Sequence, residues 1–314
     1  MPIDKTTNLD FLPDVDFDQI LTNPILDISA RFWDSDRYDA FRTCYRSMRL
    51  IDDLVDDRKS SKKKISKIEL IQMKRVMAKW MKAMQKKDCS DQFRAELLQT
   101  LDKFKIPFWP WERLYKAMIY DLEHNGFESI LIFLRYSEGA AISPASIFMH
   151  LCGVEKSNNS YSEPKFDIRF AARPLALFSY FVHIIRDFQK DQLANLNYFA
   201  DNMLLKHDLT CDNLRSVAEG KTMPVEFRNL MSDYYLIADY YRLKARKVLD
   251  NIIPLLKPKY QLSLEMINSL YYQIFERINI SSGDFSEIEL NPTAAEVKNR
   301  INSTIDNFVI LSQK

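Results

Sequence analysis

Two pairs of aspartates are the residues in this sequence whose type and spacing could do chemistry. Asp52 and Asp56 lie four residues apart, as do Asp187 and Asp191, so each pair would stack one turn apart on a helix. Like charges at this spacing repel, and aspartate is a poor helix former, so helix stability explains neither pair. Carboxylate oxygens, with waters and phosphate oxygens, are the ligands that Mg²⁺ prefers. The spacing therefore indicates two acidic helix faces that hold magnesium against a phosphorylated substrate.

An arginine accompanies each pair, Arg49 before Asp52 and Arg186 directly before Asp187. Metal ions and guanidinium groups would stabilise the charge that develops on a departing diphosphate. The allylic cation left behind needs a dry, aromatic pocket, which phenylalanine- and tyrosine-rich helices could supply. For one motif alone, a solvated acidic face paired with lysine or arginine would explain the aspartates as well as a metal site does. Two motifs, the second inside an apolar helix, favour the metal site.

Three weaker features flank these motifs. His183 lies one turn before Asp187, where it could hydrogen-bond a diphosphate or accept a proton, and a packed core histidine is an equal alternative. Asp121 ends an aromatic helix, and a cap or salt bridge is favoured there over a place in the cavity. A stretch rich in lysine and arginine, residues 58–67, follows the first motif. A solvated loop is favoured there over a flap that attracts diphosphate or touches an anionic membrane.

The elements that must position these residues are helices. Only 5 of the 314 residues are glycine, too few for phosphate-binding loops or many hairpins. Periodicity predicts helices over residues 36–57, 68–86, 90–104, 111–125, 128–152, 166–193, 224–256, 260–278 and 293–308, with a kink at Pro144. Residues 155–164 are predicted to be a loop. We expect one all-α domain over residues 31–314, a helical bundle around a hydrophobic cavity, with residues 1–30 as an irregular segment packed on it.

Composition excludes several other classes of protein. The net charge of +1 and the lack of a basic, aromatic stripe argue against nucleic-acid binding. Four scattered cysteines indicate a reduced, cytoplasmic protein, and no stretch approaches the roughly 20 apolar residues of a membrane span. Peripheral membrane contact for release of a greasy product stays open. No glycine-rich loop is present, so NADPH is not indicated and would have to bind without a Rossmann module.

The sequence resembles the squalene, dehydrosqualene and phytoene synthases in three places. Residues 32–57, with Tyr45, Arg49 and the letters DDLVD, resemble their first aspartate-rich region. The letters YSEGAAISP, which begin at Tyr136, resemble their middle helix. The letters IRDFQKD, followed by NYF at Tyr198, resemble their second motif and its downstream tyrosine. The resemblance runs over about residues 27–278 and implies the helical isoprenoid-synthase fold.

This resemblance implies head-to-head prenyl transfer. One farnesyl or geranylgeranyl diphosphate ionises, and the double bond of a second attacks the cation, giving a cyclopropylcarbinyl diphosphate that some members rearrange further, with or without NADPH. Two or three Mg²⁺ ions would bind with the diphosphate. The implied metal ligands are Asp52, Asp53, Asp56, Asp187 and Asp191. The implied substrate contacts and catalytic side chains are Arg49, Arg186, Tyr45, Tyr136 and Tyr198. To these we add Tyr180 as a candidate substrate contact and His183 as a candidate catalytic side chain, although the resemblance does not supply them.

Departures from the family pattern keep two alternatives open. Tyr180 and His183 stand where the family commonly has Gln and Asn, and Asn197 stands where it commonly has Arg before the downstream tyrosine. No lysine or arginine lies between Arg277 and Lys298, where some members supply a further diphosphate contact. A class I terpene cyclase that acts on one prenyl diphosphate is therefore the first alternative. A non-catalytic relative with a binding or assembly role is the second, and the sequence leaves chain length and oligomeric state open.

Overall fold

The computed structural model describes residues 24–60, 65–158 and 160–311, and almost all of their regular structure is helical. This confirms the all-α prediction. The helices are α1 (Ile25–Ala30), α2 (Ser35–Ser60), α3 (Lys67–Gln85), α4 (Gln92–Phe104), α5 (Trp109–Glu123), α6 (Ile130–Ala140), α7 (Ile142–Gly153), α8 (Ile168–Arg186), α9 (Phe188–Leu193), α10 (Asp201–Lys206), α11 (Cys211–Ala218), α12 (Val225–Ile252), α13 (Pro258–Arg277), α14 (Glu287–Leu290) and α15 (Ala294–Asp306). A short 3₁₀ helix (Ile253–Leu255) follows α12, and strands β1 (Glu155–Ser157) and β2 (Ser160–Ser162) form a hairpin.

Helix α8 is the centre of the core. It packs along α12 on one side and against α7 on another, and it also contacts α13. Its middle is apolar on almost every side, and Leu177, Phe178, Phe181 and Val182 are fully buried. Among the described residues α8 is also long and apolar enough to cross a membrane, contrary to the prediction that no stretch approaches that length. More than half of it, 56%, is buried inside the protein, as in a core helix.

Helices α5 and α6 approach each other closely at a glycine. A Cβ atom added at Gly139 would lie 2.3 Å from the backbone carbonyl oxygen of Arg113, so only glycine allows this approach. The contact fixes α6 against α5. It thereby brings Tyr136, on α6, to Asp121, on α5, at the edge of the cavity described below.

Two predicted helices are interrupted. The helix predicted over residues 128–152 breaks at Ala141, three residues before Pro144, because proline cannot donate a hydrogen bond to the preceding turn and its ring disfavours helical geometry before it. The helix predicted over residues 166–193 breaks at Asp187, which caps α8 and begins α9. The Asp191 amide still donates to the Asp187 carbonyl oxygen at 2.8 Å, so this pair stays one turn apart.

Other boundaries differ from the prediction. Residues 155–164, predicted as a loop, contain the β1–β2 hairpin, whose turn uses Asn158 in the left-handed conformation (φ 52°) that asparagine tolerates. Helix α2 continues to Ser60, so the first part of the basic stretch is helical rather than a loop. Helices α10 and α11 were not predicted. The N-terminal segment was predicted to be irregular to residue 30, whereas Ile25–Ala30 is helical and packs on α13, and residues 1–23 lie outside the described residues.

Candidate active site

Both acidic motifs line one cavity of about 1070 Å³. Carboxylates at its mouth come from α2, from Asp187 between α8 and α9, and from α9. Helices α1, α6, α7 and α13 contribute apolar and small side chains to its walls. This volume exceeds the roughly 300–1,000 Å³ of an ordinary ligand pocket and suits a long apolar chain with a charged head. The apolar part of the wall includes Ile28, Ala140, Ala145, Phe148, Met149, Leu175, Leu264, Ile267 and Ile274.

The first acidic face lies on α2 and is stabilised by Arg49. Its guanidinium donates to Asp52 at 2.6 Å and also pairs with Asp53, one turn further on. Burial and the neighbouring Asp56 raise the pKa of Asp52 to about 7, against the lowering effect of Arg49. Burial and Asp121 likewise raise the pKa of Asp56 to about 6. Arg49 alone therefore does not neutralise this acidic face, and a bound cation would be stabilised there.

The second acidic face is asymmetric. Burial alone would raise the pKa of Asp187, but hydrogen bonds from His183 and Arg186 hold it well below its usual range. Arg186 grips both oxygens, at 2.6 and 2.9 Å, and His183 Nε2 lies 2.9 Å from Oδ2. Among the residues that the structure describes, Asp191 has no such hydrogen-bonding partner, and burial together with Asp187 raises its pKa to about 7. Asp187 is thus a fixed carboxylate, and Asp191 is the one that needs a cation.

The two faces lie close enough to influence each other. Asp56, on α2, is among the charges that raise the pKa of Asp191, on α9. Asp52 and Asp56 also act on the buried phenol of Tyr180, on α8, whose pKa burial raises well above its usual range. The structure therefore brings together carboxylates that are more than 130 residues apart in the sequence.

A buried network that sequence reasoning missed supports the tyrosines. The Tyr136 hydroxyl donates to one Asp121 oxygen at 2.5 Å, and Lys59 Nζ donates to the other at 2.7 Å. Asp121 is only 4% exposed. The preference for a salt bridge at Asp121 was correct, but its partner and its contact with a cavity tyrosine were not predicted. Helical spacing predicts that Lys59 lies on the same face of α2 as Asp56, which is three residues before it. It does not predict a contact between Lys59 and Asp121 on another helix.

The remaining site tyrosines form an aromatic wall. Tyr180 lies edge to face with Tyr198, with ring centroids 6.3 Å apart, and stacks on Phe133 at 5.3 Å. Tyr45 stacks on the buried Phe41 at 5.5 Å. Burial raises the pKa of Tyr45, and raises that of Tyr198 well above its usual range, so the phenols stay neutral at physiological pH. This wall offers ring faces, rather than charges, to a ligand.

These residues fit magnesium ions shared with a diphosphate. Within residues 24–60, 65–158 and 160–311, no three His, Cys, Asp or Glu side chains converge into a metal site of their own. Magnesium is commonly bound by one or two carboxylates, waters and substrate phosphates, so the spread arrangement of Asp52, Asp56 and Asp191 suits it. Asp187, whose oxygens already accept from Arg186 and His183, would have to share them with a metal.

We expect metal-free protein to lose stability as the pH rises from about 4 to about 7. Asp52, Asp56 and Asp191 have raised pKa values, so the folded chain binds more protons than the unfolded chain in this window. Their contribution is complete below the ordinary value of 3.8 and is lost as the pH passes about 6–7. Thermal unfolding in EDTA should therefore show a Tm about 5 °C lower at pH 8 than at pH 5.

The Asp52→Asn variant is the matched control for this dependence. Its Tm in EDTA should vary less with pH than that of the wild type, because one of the three groups no longer titrates. A wild-type Tm that rises steadily from pH 5 to pH 8 would contradict the assigned charge repulsion.

Comparisons with known proteins agree with this geometry. A family model described as squalene/phytoene synthase matches residues 28–296. A crystal structure of a dehydrosqualene synthase in complex with ligand is similar, with a TM-score of 0.63, 15% identity and coverage of 91% of this chain and 95% of that chain. The squalene synthase HpnC from Alicyclobacillus acidocaldarius gives a TM-score of 0.62 at 13% identity, over 80% and 85% of the two chains. At these identities the solved structures show a shared fold. No curated protein sequence matches significantly.

Proposed function

Because the chain belongs to the squalene/phytoene synthase family, we propose that it is a Mg²⁺-dependent prenyltransferase that ionises an isoprenyl diphosphate in this cavity. The observation that supports this most directly is the meeting of two under-neutralised acidic faces at the mouth of a large apolar cavity. Bound magnesium would offset the negative charge on the diphosphate as it leaves. A cytoplasmic location accords with the composition and belongs to the proposal.

The carboxylates and the arginines at the cavity mouth would have different roles. Asp52, Asp56, Asp187 and Asp191 would hold the metal ions, with Asp53 in support through Arg49. Arg49 and Arg186 are each held by an aspartate within the cavity wall, so their remaining N–H groups are already oriented for diphosphate oxygens. His183 would donate to Asp187 and keep that carboxylate in place.

The tyrosines would protect and steer the cation. Tyr45, Tyr136, Tyr180 and Tyr198 line the wall, and their ring faces stabilise positive charge. Their raised pKa values keep them protonated, so no phenolate is present to capture the cation. The Tyr136 hydroxyl donates its hydrogen bond to Asp121, so the lone pairs of the Tyr136 oxygen stay available as acceptors in the cavity.

In the head-to-head reaction, the double bond of a second farnesyl or geranylgeranyl diphosphate attacks the cation. Loss of a proton then closes a cyclopropane ring and gives a cyclopropylcarbinyl diphosphate. The cavity volume of about 1070 Å³ is compatible with two chains side by side. NADPH would be needed only if the product were reduced further, and no glycine-rich loop indicates it.

One observation favours a single-substrate reaction as the second candidate. The described cavity wall has Arg49, Arg186 and Lys190 as its lysines and arginines, and the first two are paired with aspartates. The rim also carries Glu287 and Asn291, in the region where some family members supply cations. Such a site would balance one diphosphate better than two, and a terpene cyclase needs only one.

Product analysis distinguishes these candidates. Purified protein is incubated with Mg²⁺ and farnesyl or geranylgeranyl diphosphate, with and without NADPH, and hexane-extractable products are identified by mass. We expect a product of twice the substrate chain length, and its formation should stop in excess EDTA and resume with added Mg²⁺. A cyclic product of single-substrate size would select the cyclase. Absence of turnover with every prenyl diphosphate would contradict both and leave the binding or assembly role.

A further inference from the structure

The outward face of α3 is strongly cationic. Residues 67–87 contain seven lysines and arginines and one glutamate, although the whole chain has a net charge of only +1. Arg75, Lys79 and Lys82 lie within one angular sector of the helix, and all three are exposed. The opposite side of α3, with Met77, Met81 and Met84, is buried in the core. The helix thus presents a fixed basic stripe to its surroundings.

Two carboxylates beside α3 already have partners. Glu69, the acidic residue of the helix, is held by Arg58, whose second nitrogen donates to it at 2.8 Å. Glu123, on α5, pairs with Lys74. Among the described residues, no carboxylate oxygen lies within 4 Å of Arg75, Lys79 or Lys82. Their charge is therefore not neutralised within the described part of the chain.

Aliphatic side chains border this stripe. Ile68 is 72% exposed, Val76 is 58% exposed and Ile71 is about half exposed. Transfer of an exposed isoleucine or valine side chain from water into an apolar phase is favourable, so these side chains favour contact with an apolar phase. Lysines and arginines interleaved with exposed aliphatic residues match a surface with anionic head groups above hydrocarbon.

Helix α3 also lies beside the mouth of the cavity. Arg58, which anchors its first turn through Glu69, directly follows Asp56 and Asp57 on the cavity rim. A surface bound to α3 would therefore lie close to the point where an apolar ligand enters or leaves.

We infer that the α3 face formed by Ile68, Arg75, Val76, Lys79 and Lys82 binds bilayers that contain anionic phospholipid and holds the cavity mouth at the membrane surface. Each basic residue near such a surface strengthens binding about fivefold, so three of them together contribute about a hundredfold. The attraction is screened by salt. Binding requires neither substrate nor turnover, so it stands or falls independently of the proposed reaction.

Vesicle flotation tests this inference with the full chain. The protein should float with vesicles of phosphatidylcholine and phosphatidylglycerol, stay unbound with pure phosphatidylcholine, and dissociate at 0.5 M NaCl. The Arg75→Glu/Lys79→Glu/Lys82→Glu variant should bind at least about a hundredfold more weakly. Circular dichroism should show the same helix content, because the three side chains are exposed and make no ion pair within the described structure.

A matched variant changes the same charge elsewhere. Lys244→Glu/Lys247→Glu/Lys257→Glu alters exposed lysines of α12 and of the residue before α13, and it should keep wild-type vesicle binding. Equal loss in both triple variants would reduce the effect to net charge and overturn the assignment to α3. Failure to bind anionic vesicles would also overturn it, as would salt-sensitive binding to double-stranded DNA in place of vesicles, which would assign the face to nucleic acid.

Discussion

The Asp52→Asn variant is expected to lose about a thousandfold in turnover of an isoprenyl diphosphate while it keeps its helical circular-dichroism spectrum. Asparagine has nearly the same shape as aspartate but lacks the charge that attracts a divalent cation. Asp52 lies on the cavity wall beside Asp56, where burial and like charge raise its pKa to about 7. The variant therefore removes a metal ligand without opening a cavity in the core. Steady-state kinetics at saturating Mg²⁺ measures the loss.

The same change should stabilise the metal-free protein at pH 8. Removing one charge relieves the repulsion between Asp52 and Asp56, so the Tm in EDTA should rise as activity falls. Asp102→Asn is a matched control, because Asp102 makes an exposed ion pair with Lys87 on the surface, at 3.2 Å, and should retain full activity and Tm. Near-normal turnover of Asp52→Asn would contradict its assignment as a metal ligand. A variant that loses its helical spectrum would point to a structural role instead.

The pairing of carboxylates within each motif could be predicted because helical geometry is local. A spacing of four residues places Asp52 over Asp56 wherever the helix lies, and the apolar run before Asp187 required a buried helix. Composition alone indicated helices, since five glycines cannot serve many tight turns. These features predicted the fold class and both acidic faces, including four of the carboxylates that line the cavity, Asp52, Asp56, Asp187 and Asp191.

Other features depended on contacts between distant segments. No glycine or proline in the sequence predicts the helix break at Asp187. Arg186 and His183 stabilise this break through their contacts with the Asp187 side chain. The hairpin at residues 155–162 depends on Tyr161 packing against Phe104, with ring centroids 4.4 Å apart. Short helices α10 and α11 have too few turns for a periodic pattern. Periodicity gives the face of a helix, but it does not give the neighbour of that face.

The Lys59–Asp121–Tyr136 network joins three helices and should be the most destabilising place for a single charge change. Lys59→Met leaves the Asp121 carboxylate, 4% exposed, with only a neutral partner. Breaking a buried ion pair in this way costs about 3 kcal/mol of the free energy of unfolding. Lys59 also lowers the pKa of Asp56, so its loss leaves the first acidic face with less positive charge nearby. Urea unfolding of Lys59→Met against the wild type measures the loss of stability.

The double variant Lys59→Met/Asp121→Asn separates the ion pair from simple packing. Asparagine still accepts the Tyr136 hydrogen bond but carries no charge to leave unpaired, so the double variant should be more stable than Lys59→Met by about 1–2 kcal/mol. Turnover should follow the Tyr136 hydroxyl, so Asp121→Leu should slow the reaction more than Asp121→Asn at equal helix content. Equal stability of Lys59→Met and the double variant would show that the buried charge is not the source of the loss. Full activity of Asp121→Leu would separate Asp121 from the positioning of Tyr136, because leucine cannot accept the hydrogen bond that fixes that hydroxyl against the cavity wall.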